Sequence, residues 1–516
     1  MGDHLPQQAS DRSTVSSPSD LLVSDDARLK DRTIRAARFG FGSQLLLLLL
    51  NIASLAVLSR MLSPSDFGLV AMASSALSVL SIIADSGFSF TSVQRQDLTH
   101  QQVSNVFWAN SLLAIAASVA ACLLSPVLAW FYGRDELVAI GSALGICLIG
   151  QGASLQHMAL MRRELHYGRL SSISIASTAL ALACAIVAAS LGAGYWALVV
   201  QQAVAAFSRS ALAWMCCPWR PAMPRRNSGS RSVLGVGATW SLAELLGHLR
   251  RAVDQLLLGW HDGPQPLGVY VRAGQVLLQP MYQALGPLTS IALPALSRVQ
   301  SQPDRFRRGF LQGVDVASVI LVPLCCAMAA CSEPAVLAIL GPGWADSIPV
   351  LEALSPAAII FASLHSPAGW AFAALGKAGS QLVWSSVSVV VFAAACWIGV
   401  QSGPVGVAIA SSVASMIVYP LAVQLALRES PVRPREVYGL LARPIIASAL
   451  SGLMVRLSFR WATLEMPATL ILFLGVVEFA VLYLAMFACD RRGRARLAGV
   501  LALAARRPRP DSSASA

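Results

Sequence analysis

Apolar stretches of about twenty residues, long enough to cross a bilayer as a helix, recur along almost the whole chain. Only short polar segments separate them, so no sizeable extramembrane domain fits between them. Charged residues make up 12% of the 516 residues, against about 25% in soluble domains. The sequence therefore predicts an all-α, polytopic integral membrane protein.

The hydropathy pattern predicts about fourteen transmembrane helices. They lie near residues 38–60, 67–91, 105–131, 137–157, 171–192, 194–216, 233–259, 268–296, 310–331, 349–373, 381–400, 403–427, 440–459 and 466–488.

Basic residues fall in every second loop if both termini are cytoplasmic, as the positive-inside rule requires. The predicted inner loops carry Arg95, Arg162, Arg163, Arg169, Arg220, Arg225, Arg226, Arg231, Arg298, Arg305, Arg307, Arg308, Lys377, Arg428, Arg433 and Arg435. The predicted outer loops carry only Arg60, Arg134 and Arg460. Topology thus explains much of the net charge of +12, which does not indicate a nucleic-acid partner. The arginines near 220–231 and 491–496 would contact anionic lipids.

The cysteines lie in or at the ends of apolar spans, where small residues pack well. They are Cys122, Cys147, Cys184, Cys216, Cys217, Cys325, Cys326, Cys331, Cys396 and Cys489. No two C-x₂-C pairs occur, so the spacing does not indicate a structural zinc site. We expect neither a metal nor another cofactor.

Two segments align without a gap at an offset of 200 residues, which predicts an internal repeat. Pro64 falls on Pro264, Gly68 on Gly268 and Ala73 on Ala273. An offset of 208 superimposes His157 on His365. Because six spans separate the copies, the halves would be parallel repeats that enclose a central cavity.

The repeat and the loop composition together predict six regions. These are a disordered cytoplasmic tail (1–36), an N-terminal lobe of spans 1–6 (37–217), a basic cytoplasmic linker (218–232), a C-terminal lobe of spans 7–12 (233–427), spans 13 and 14 (428–490) and a basic cytoplasmic tail (491–516).

The sequences of several motifs closely resemble the corresponding motifs of bacterial oligosaccharide flippases. These form the polysaccharide-transport branch of the multidrug/oligosaccharidyl-lipid/polysaccharide exporter superfamily. The motifs are RMLSPSDFGLVAMA (60–73), ADSGFSFTSVQR (84–95), FYG (131–133), ALMRREL (159–165), GYWALVVQQ (194–202), RRAVDQLLLG (250–259), LGVYVRAGQVLLQP (267–280), ALPALSRVQ (292–300) and DRFRRGF (304–310). The resemblance covers roughly residues 32–430.

The resemblance implies a fourteen-helix, two-lobed transporter in the bacterial inner membrane. Its cargo would be undecaprenyl-pyrophosphate-linked sugar units, moved to the periplasmic leaflet, in association with a polysaccharide polymerase. Where the family pattern is near R-x-x-D-N-L-L-I-G-R, this chain has Gln255 at the Asn position and Trp260 at the final Arg position. The change at Trp260 removes any inherited polar role there and is consistent with a different glycan.

The seventh span is unusually rich in titratable side chains, although a charge at the centre of a membrane helix costs about 2.5–3.5 kcal/mol on insertion scales. At 100° per residue, Glu244, His248, Arg251 and Gln255 lie on one face, and Arg250 and Asp254 extend it. Polar groups arranged in this way usually face a cavity, and arginine donates paired hydrogen bonds to phosphate. The predicted substrate-binding residues are Arg250, Arg251, Arg272, Arg60, Gln255, Gln275, Gln279 and Tyr282.

Several of these side chains also have purely structural interpretations. Arg250 and Asp254 could neutralise each other, and Arg60 could reach the interface as a snorkelling side chain. His157 and His365 are interpreted as packing or polar-network residues. Arg456 and Glu478 could pair with each other or line a groove for lipid access.

No nucleotide-binding or hydrolase motif is present, so we predict a non-enzyme whose transport depends on an ion gradient or on removal of product. The predicted carriers of H⁺ or Na⁺ are Asp85, Glu244, His248 and Asp254. Alternative hypotheses for the function are a cation-coupled drug antiporter of the same exporter superfamily, a membrane polysaccharide polymerase or acyltransferase, and a lipid scaffold. An antiporter would favour an acidic cavity, and a polymerase usually needs a large external loop.

Overall fold

The computed structural model describes residues 42–85, 99–164, 166–224, 238–461, 466–489, 493, 494 and 496. The predicted tail 1–36, most of the tail 491–516, the larger part of the linker and the side chain of Asp85 lie outside the described residues. The part that is described is helical throughout apart from short turns and loops.

A long helix lies at each of the fourteen predicted positions within the described ranges. We label them α1 (Gly42–Met61), α2 (Pro64–Asp85), α3 (His100–Tyr132), α4 (Glu136–Arg163), α5 (Tyr167–Ser190), α6 (Trp196–Cys216), α7 (Ala238–Asp262), α8 (Pro264–Arg298), α9 (Pro303–Ala330), α10 (Ser347–Ala374), α11 (Ala378–Gly399), α12 (Gly403–Leu427), α13 (Pro434–Trp461) and α14 (Ala468–Ala488).

By length and hydropathy alone, nine helical segments of the described chain qualify as membrane spans, one of them the continuous stretch Ala378–Leu427. Helices α2, α6, α7 and α8 are not among these segments. The polytopic all-α architecture is confirmed, whereas the number of crossings stays a prediction.

We call helices α1–α6 the N-lobe and helices α7–α12 the C-lobe, following the predicted repeat. In the N-lobe α3 packs on α4 and α5 on α6, and in the C-lobe α11 packs on α7 and α12. Helix α2 crosses to the other lobe and packs along α7 and α8. A central cavity can therefore form where α1, α2, α7 and α8 approach one another.

The closest approach of the lobes joins residues that the sequence repeat superimposes. A Cβ atom on Gly68 would lie 1.7 Å from the carbonyl oxygen of Pro264, and one on Gly268 would lie 1.9 Å from that of Pro64. Such a reciprocal contact is what a two-fold axis produces, because residue i meets j and j meets i. The contact supports the predicted repeat and needs glycine at both positions.

Helices α13 and α14 are attached to the C-lobe by polar contacts at both ends. Arg307 of α9 pairs with Glu436 of α13, and Arg456 of α13 pairs with Glu352 of α10. Of the two alternatives for Arg456 and Glu478, the structure does not show the pairing: Glu478 accepts a hydrogen bond from Ser458, 2.8 Å away. Tyr483, Phe479 and Phe487 of α14 pack in an apolar cluster with α9 and α13.

Candidate functional site: a cavity between the lobes

The lobes are sealed at the end that carries the α1–α2 and α7–α8 turns, which the charge pattern predicts to be periplasmic. Besides the glycine contact, Arg60 donates to the carbonyl oxygen of Ala338 at 2.8 Å. The indole of Trp344 donates to the carbonyl oxygen of Ser59 at 2.7 Å, and its ring packs edge-on against Phe67. Arg60 thus holds the two lobes together and does not line the cavity.

Beneath this seal lies a central cavity of about 620 Å³. Its polar lining consists of Asn51, Ser54, Ser74, Gln201, Gln202, Gln255, Arg272, Gln275 and Gln279. None of its described lining residues is acidic. Arginine and amide side chains suit a phosphate group joined to sugar hydroxyls, because they offer many hydrogen-bond donors.

Arg272 is the cation of the central cavity, and only 7% of it is exposed. Its guanidinium carbon lies 3.5 Å from the ring centroid of Phe67, across the lobe interface. One terminal nitrogen donates to the side-chain oxygen of Gln275 at 2.7 Å, while the buried Nε has no partner. Arg272 therefore keeps donor capacity for an anion in the cavity.

The other cavity arginines lie in a second space, entirely within the C-lobe. This C-lobe cavity has a volume of about 310 Å³ and shares Gln255, Val271, Gln275 and Gln279 with the central cavity. Tyr282, predicted as a substrate residue, lines it together with Arg250 and Arg251. The helical wheel of α7 predicted one polar stripe, whereas the structure distributes its side chains between adjoining cavities.

Arg250 is buried, with 6% exposure, and its guanidinium lies 4.9 Å from the Phe392 ring and 5.7 Å from the Tyr419 ring. Arg251 has Glu244 as its nearest carboxylate, at 3.8 Å, and Glu244 also lies 3.7 Å from His248. Glu244, Arg250 and Arg251 border a third pocket of about 180 Å³ beside His365.

Asp254 does not pair with either arginine, which corrects the Arg250–Asp254 interpretation. Its carboxylate accepts from the hydroxyl of Tyr270 at 2.7 Å and from the backbone N–H of Gln255 at 2.8 Å. No ion pair within the described chain joins it to Arg250 or Arg251. Tyr270 lies on α8, so this hydrogen bond ties the two charged helices of the C-lobe together.

The two superimposed histidines both lie in aromatic clusters. His157 packs against Trp214, with ring centroids 4.4 Å apart, and also contacts Phe107 and Trp219. His365 stacks on Phe361 at 4.4 Å and contacts Tyr419. His365 lies in a π-helical turn of α10, Phe361–His365, a local feature often found at functional sites.

A model of the family described as polysaccharide biosynthesis protein matches residues 57–349, more than half of the chain. The chain belongs to this family. The matched range includes α2 to α8 and hence the Gly68–Gly268 contact, Arg272 and the charged stripe of α7.

The curated relatives that this chain matches are distant in sequence. The teichuronic acid biosynthesis protein TuaB of Bacillus subtilis is 27% identical over 62% of this chain and 67% of its own length. The lipopolysaccharide biosynthesis protein WzxC of Escherichia coli is 22% identical over 73% of this chain and 77% of its own. The succinoglycan biosynthesis transport protein ExoT of Rhizobium meliloti is 24% identical over 59% and 62%.

Two solved structures show the same fold. The lipid II flippase MurJ, in an inward closed conformation, matches with a TM-score of 0.67 at 11% identity, covering 88% of this chain and 98% of that one. An inward-facing multidrug transporter of the MATE family matches with a TM-score of 0.55 at 14% identity, covering 83% and 100%. The family member described here therefore has the fold of these transporters.

Sequence reasoning missed the N-lobe wall of the cavity in this family member. Asn51 and Ser54 of α1 and Gln201 and Gln202 of α6 line it, and Gln201 donates to the Ser54 hydroxyl at 2.7 Å. Isolated amides inside apolar helices were the available signal, since such groups usually face a cavity or a partner. The charges of α7 drew attention to the C-lobe instead.

Proposed function

We propose that the protein moves undecaprenyl-pyrophosphate-linked oligosaccharide units from the cytoplasmic to the periplasmic leaflet of the bacterial inner membrane, with both termini in the cytoplasm. The observation that carries this proposal is the central cavity, which combines a buried arginine with amide groups from both lobes. Its relatives include proteins named for polysaccharide biosynthesis and transport, and its fold is that of a lipid II flippase.

The six-region organisation belongs to this proposal. The N-lobe would rock against the C-lobe about the interface of α2 with α7 and α8, exposing the cavity to one leaflet and then to the other. The cytoplasmic arginines would contact anionic lipid, and a polymerase on the periplasmic side would consume the product.

The cation-coupled drug antiporter is the weaker candidate. A cationic drug needs carboxylates in its binding cavity, and none of the described residues that line the central cavity is acidic. Asp254 lies in the C-lobe cavity, where Tyr270 and the arginines surround it.

Purified full-length protein in proteoliposomes tests the proposed function. Undecaprenyl-diphosphate disaccharide would be placed in both leaflets, and an added glycosidase that cannot cross the bilayer would then cleave all accessible sugar. We expect cleavage of essentially the whole pool with the protein and of about the outer half in empty liposomes. Cleavage that stops at the outer half with the protein present would refute flipping.

Ion coupling is proposed to act through Glu244. Glu244 borders the third pocket, where it lies 3.8 Å from Arg251 and 3.7 Å from His248 and gives the partly exposed arginine a counter-charge. An arriving anion would displace the carboxylate from Arg251, and the freed carboxylate would take up H⁺ or Na⁺. Substrate and ion would thus compete for the same arginine and exchange without nucleotide hydrolysis.

The coupling model predicts that Glu244→Gln retains downhill flipping but loses its acceleration by an imposed H⁺ or Na⁺ gradient. The amide cannot bind a proton or neutralise Arg251, although it keeps the size of the side chain. Flipping rates would be compared with and without the gradient. Glu333→Gln, outside all three cavities, is the matched control. A normal gradient response in Glu244→Gln would refute the model.

A further inference from the structure

Arg272 and the pair formed by Arg250 and Arg251 line different cavities. The central cavity, which contains Arg272, is partly walled by apolar residues of α1, α9 and α14, among them Leu55, Met328, Leu472 and Val476. Val476 is 40% exposed although it lines this cavity, and its helix α14 also exposes the large apolar side chains of Phe473 and Val477. A prenyl chain can lie along this wall.

The C-lobe cavity is separate from this apolar wall. All its lining residues belong to α7, α8, α10, α11 and α12, and none belongs to α14. Gln255, Gln275 and Gln279 form its border with the central cavity. A diphosphate is bonded directly to the prenyl chain and would therefore lie beside Arg272, whereas the sugars at its other end can extend past the glutamines.

The lining of the C-lobe cavity suits a sugar. Tyr282 and Tyr419 offer aromatic faces with a hydroxyl at one end, and Ser411 and Ser415 offer further hydroxyl groups. Its volume of about 310 Å³ lies at the lower end of the range of about 300–1,000 Å³ that is usual for small-ligand sites.

Arg250 places a buried positive charge beside this cavity. It is 94% buried (6% exposed), its Nε has no hydrogen-bond partner, and no carboxylate of the described chain forms an ion pair with it. The neighbouring Nδ1 of His365 is also buried without a partner. A buried arginine without a carboxylate partner is costly, and an anionic ligand would compensate for it.

We infer that the C-lobe cavity binds a sugar that carries a carboxylate, so that the transported glycan is acidic. This inference rests on the proposed function and assigns the two ends of the transported molecule. Arg272 binds the diphosphate, and Arg250 with Arg251 binds the sugar carboxylate. The carboxylate replaces Glu244 as the partner of Arg251. A neutral glycan leaves Arg250 unpaired and binds less tightly.

Binding to two matched probes tests the assignment. Full-length protein in nanodiscs would be titrated with farnesyl diphosphate bearing a glucuronyl-glucose disaccharide, and with the same molecule bearing glucosyl-glucose. The probes differ only in the oxidation state of one carbon. We expect the acidic probe to bind about ten- to a hundredfold more tightly, as charge-assisted hydrogen bonds would give.

Three variants distinguish the residue that binds the diphosphate from the residues that bind the sugar carboxylate. Arg250→Gln and Arg251→Gln should remove the difference in affinity between the acidic and the neutral probe. Arg272→Gln should weaken both probes equally. Arg298→Gln, on the same helix as Arg272 but exposed and outside the three cavities, should weaken neither.

Three other binding results would each contradict a different part of the inference. Equal affinity of the wild-type protein for both probes would overturn the acidic-sugar assignment but leave flipping intact. Equal weakening of both probes by Arg250→Gln would place this arginine at the diphosphate and also overturn the assignment. Failure of the wild-type protein to bind either probe would overturn the proposed function itself.

Discussion

Replacing Gly68 with alanine should prevent the lobes from closing at the sealed end and strongly reduce glycan export. The new Cβ would lie 1.7 Å from the carbonyl oxygen of Pro264, which is backbone and cannot rotate away. Overpacking costs about 1–3 kcal/mol, which shifts the equilibrium between the two cavity states about five- to a hundredfold. The sealed state would lose population to the state open at that end.

The measurement is the labelling of a cysteine placed at Ser74, which lines the central cavity, by an impermeant thiol reagent applied to the periplasmic side. The native cysteines would first be removed. Gly68→Ala should label faster and export less glycan. Gly286→Ala is the control, because a Cβ there meets nothing within 4 Å. Equal labelling of the two variants would show that the glycine contact does not control closure.

Gly268→Ala should reproduce the effect, because its Cβ would meet the carbonyl oxygen of Pro64 at 1.9 Å. The double variant should be little worse than either single one, since both changes open the same contact. Fully additive effects would contradict this arrangement.

Arg272→Ala should nearly abolish glycan export while leaving the protein in the membrane. The substitution removes the one arginine among the described lining residues of the central cavity, and each charge-assisted hydrogen bond that is lost costs about 1.5–3 kcal/mol. Arg272→Lys should restore export only partly, because lysine keeps the charge but loses the paired geometry. Export and protein abundance would be measured in the same cells.

Phe67→Leu distinguishes ligand binding from lobe packing in this experiment. Arg272 stacks on Phe67, so loss of the arginine also removes a contact between the lobes. The leucine variant removes that stacking but retains the guanidinium, and we expect it to keep most of the export. If Phe67→Leu were as defective as Arg272→Ala, the contacts that Phe67 makes between the lobes, with Arg272 and with Trp344, would be sufficient to explain the loss of export.

The helices were well predicted because their signal is local in the sequence. The predicted span 403–427 coincides with α12, Gly403–Leu427, and most other boundaries differ by only a few residues. Arg272, Gln275 and Gln279 all line the central cavity, as residues three, four and seven positions apart on one helix can, since helix periodicity determines which residues share a face.

Partner choice could not be predicted, because it depends on how distant helices cross. Asp254 pairs with Tyr270 on the next helix, and Arg60 with a carbonyl oxygen 278 residues away. A helical wheel gives the direction of a side chain but not the neighbour opposite it. For the same reason it could not show that α7 contributes to separate cavities.

The α13–α14 hairpin makes the two membrane-facing flanks of the protein different from each other. Two repeats related by an axis along the membrane normal would present two equivalent flanks to the bilayer. The hairpin occurs once, is anchored to α9 and α10, and adds Leu472 and Val476 to the wall of the central cavity. The two flanks are therefore no longer equivalent, and under the proposed function the prenyl chain of the substrate would meet a different surface at each. The protein therefore has two different sides within the plane of the membrane. This difference would orient it toward neighbouring proteins that deliver or receive the transported lipid.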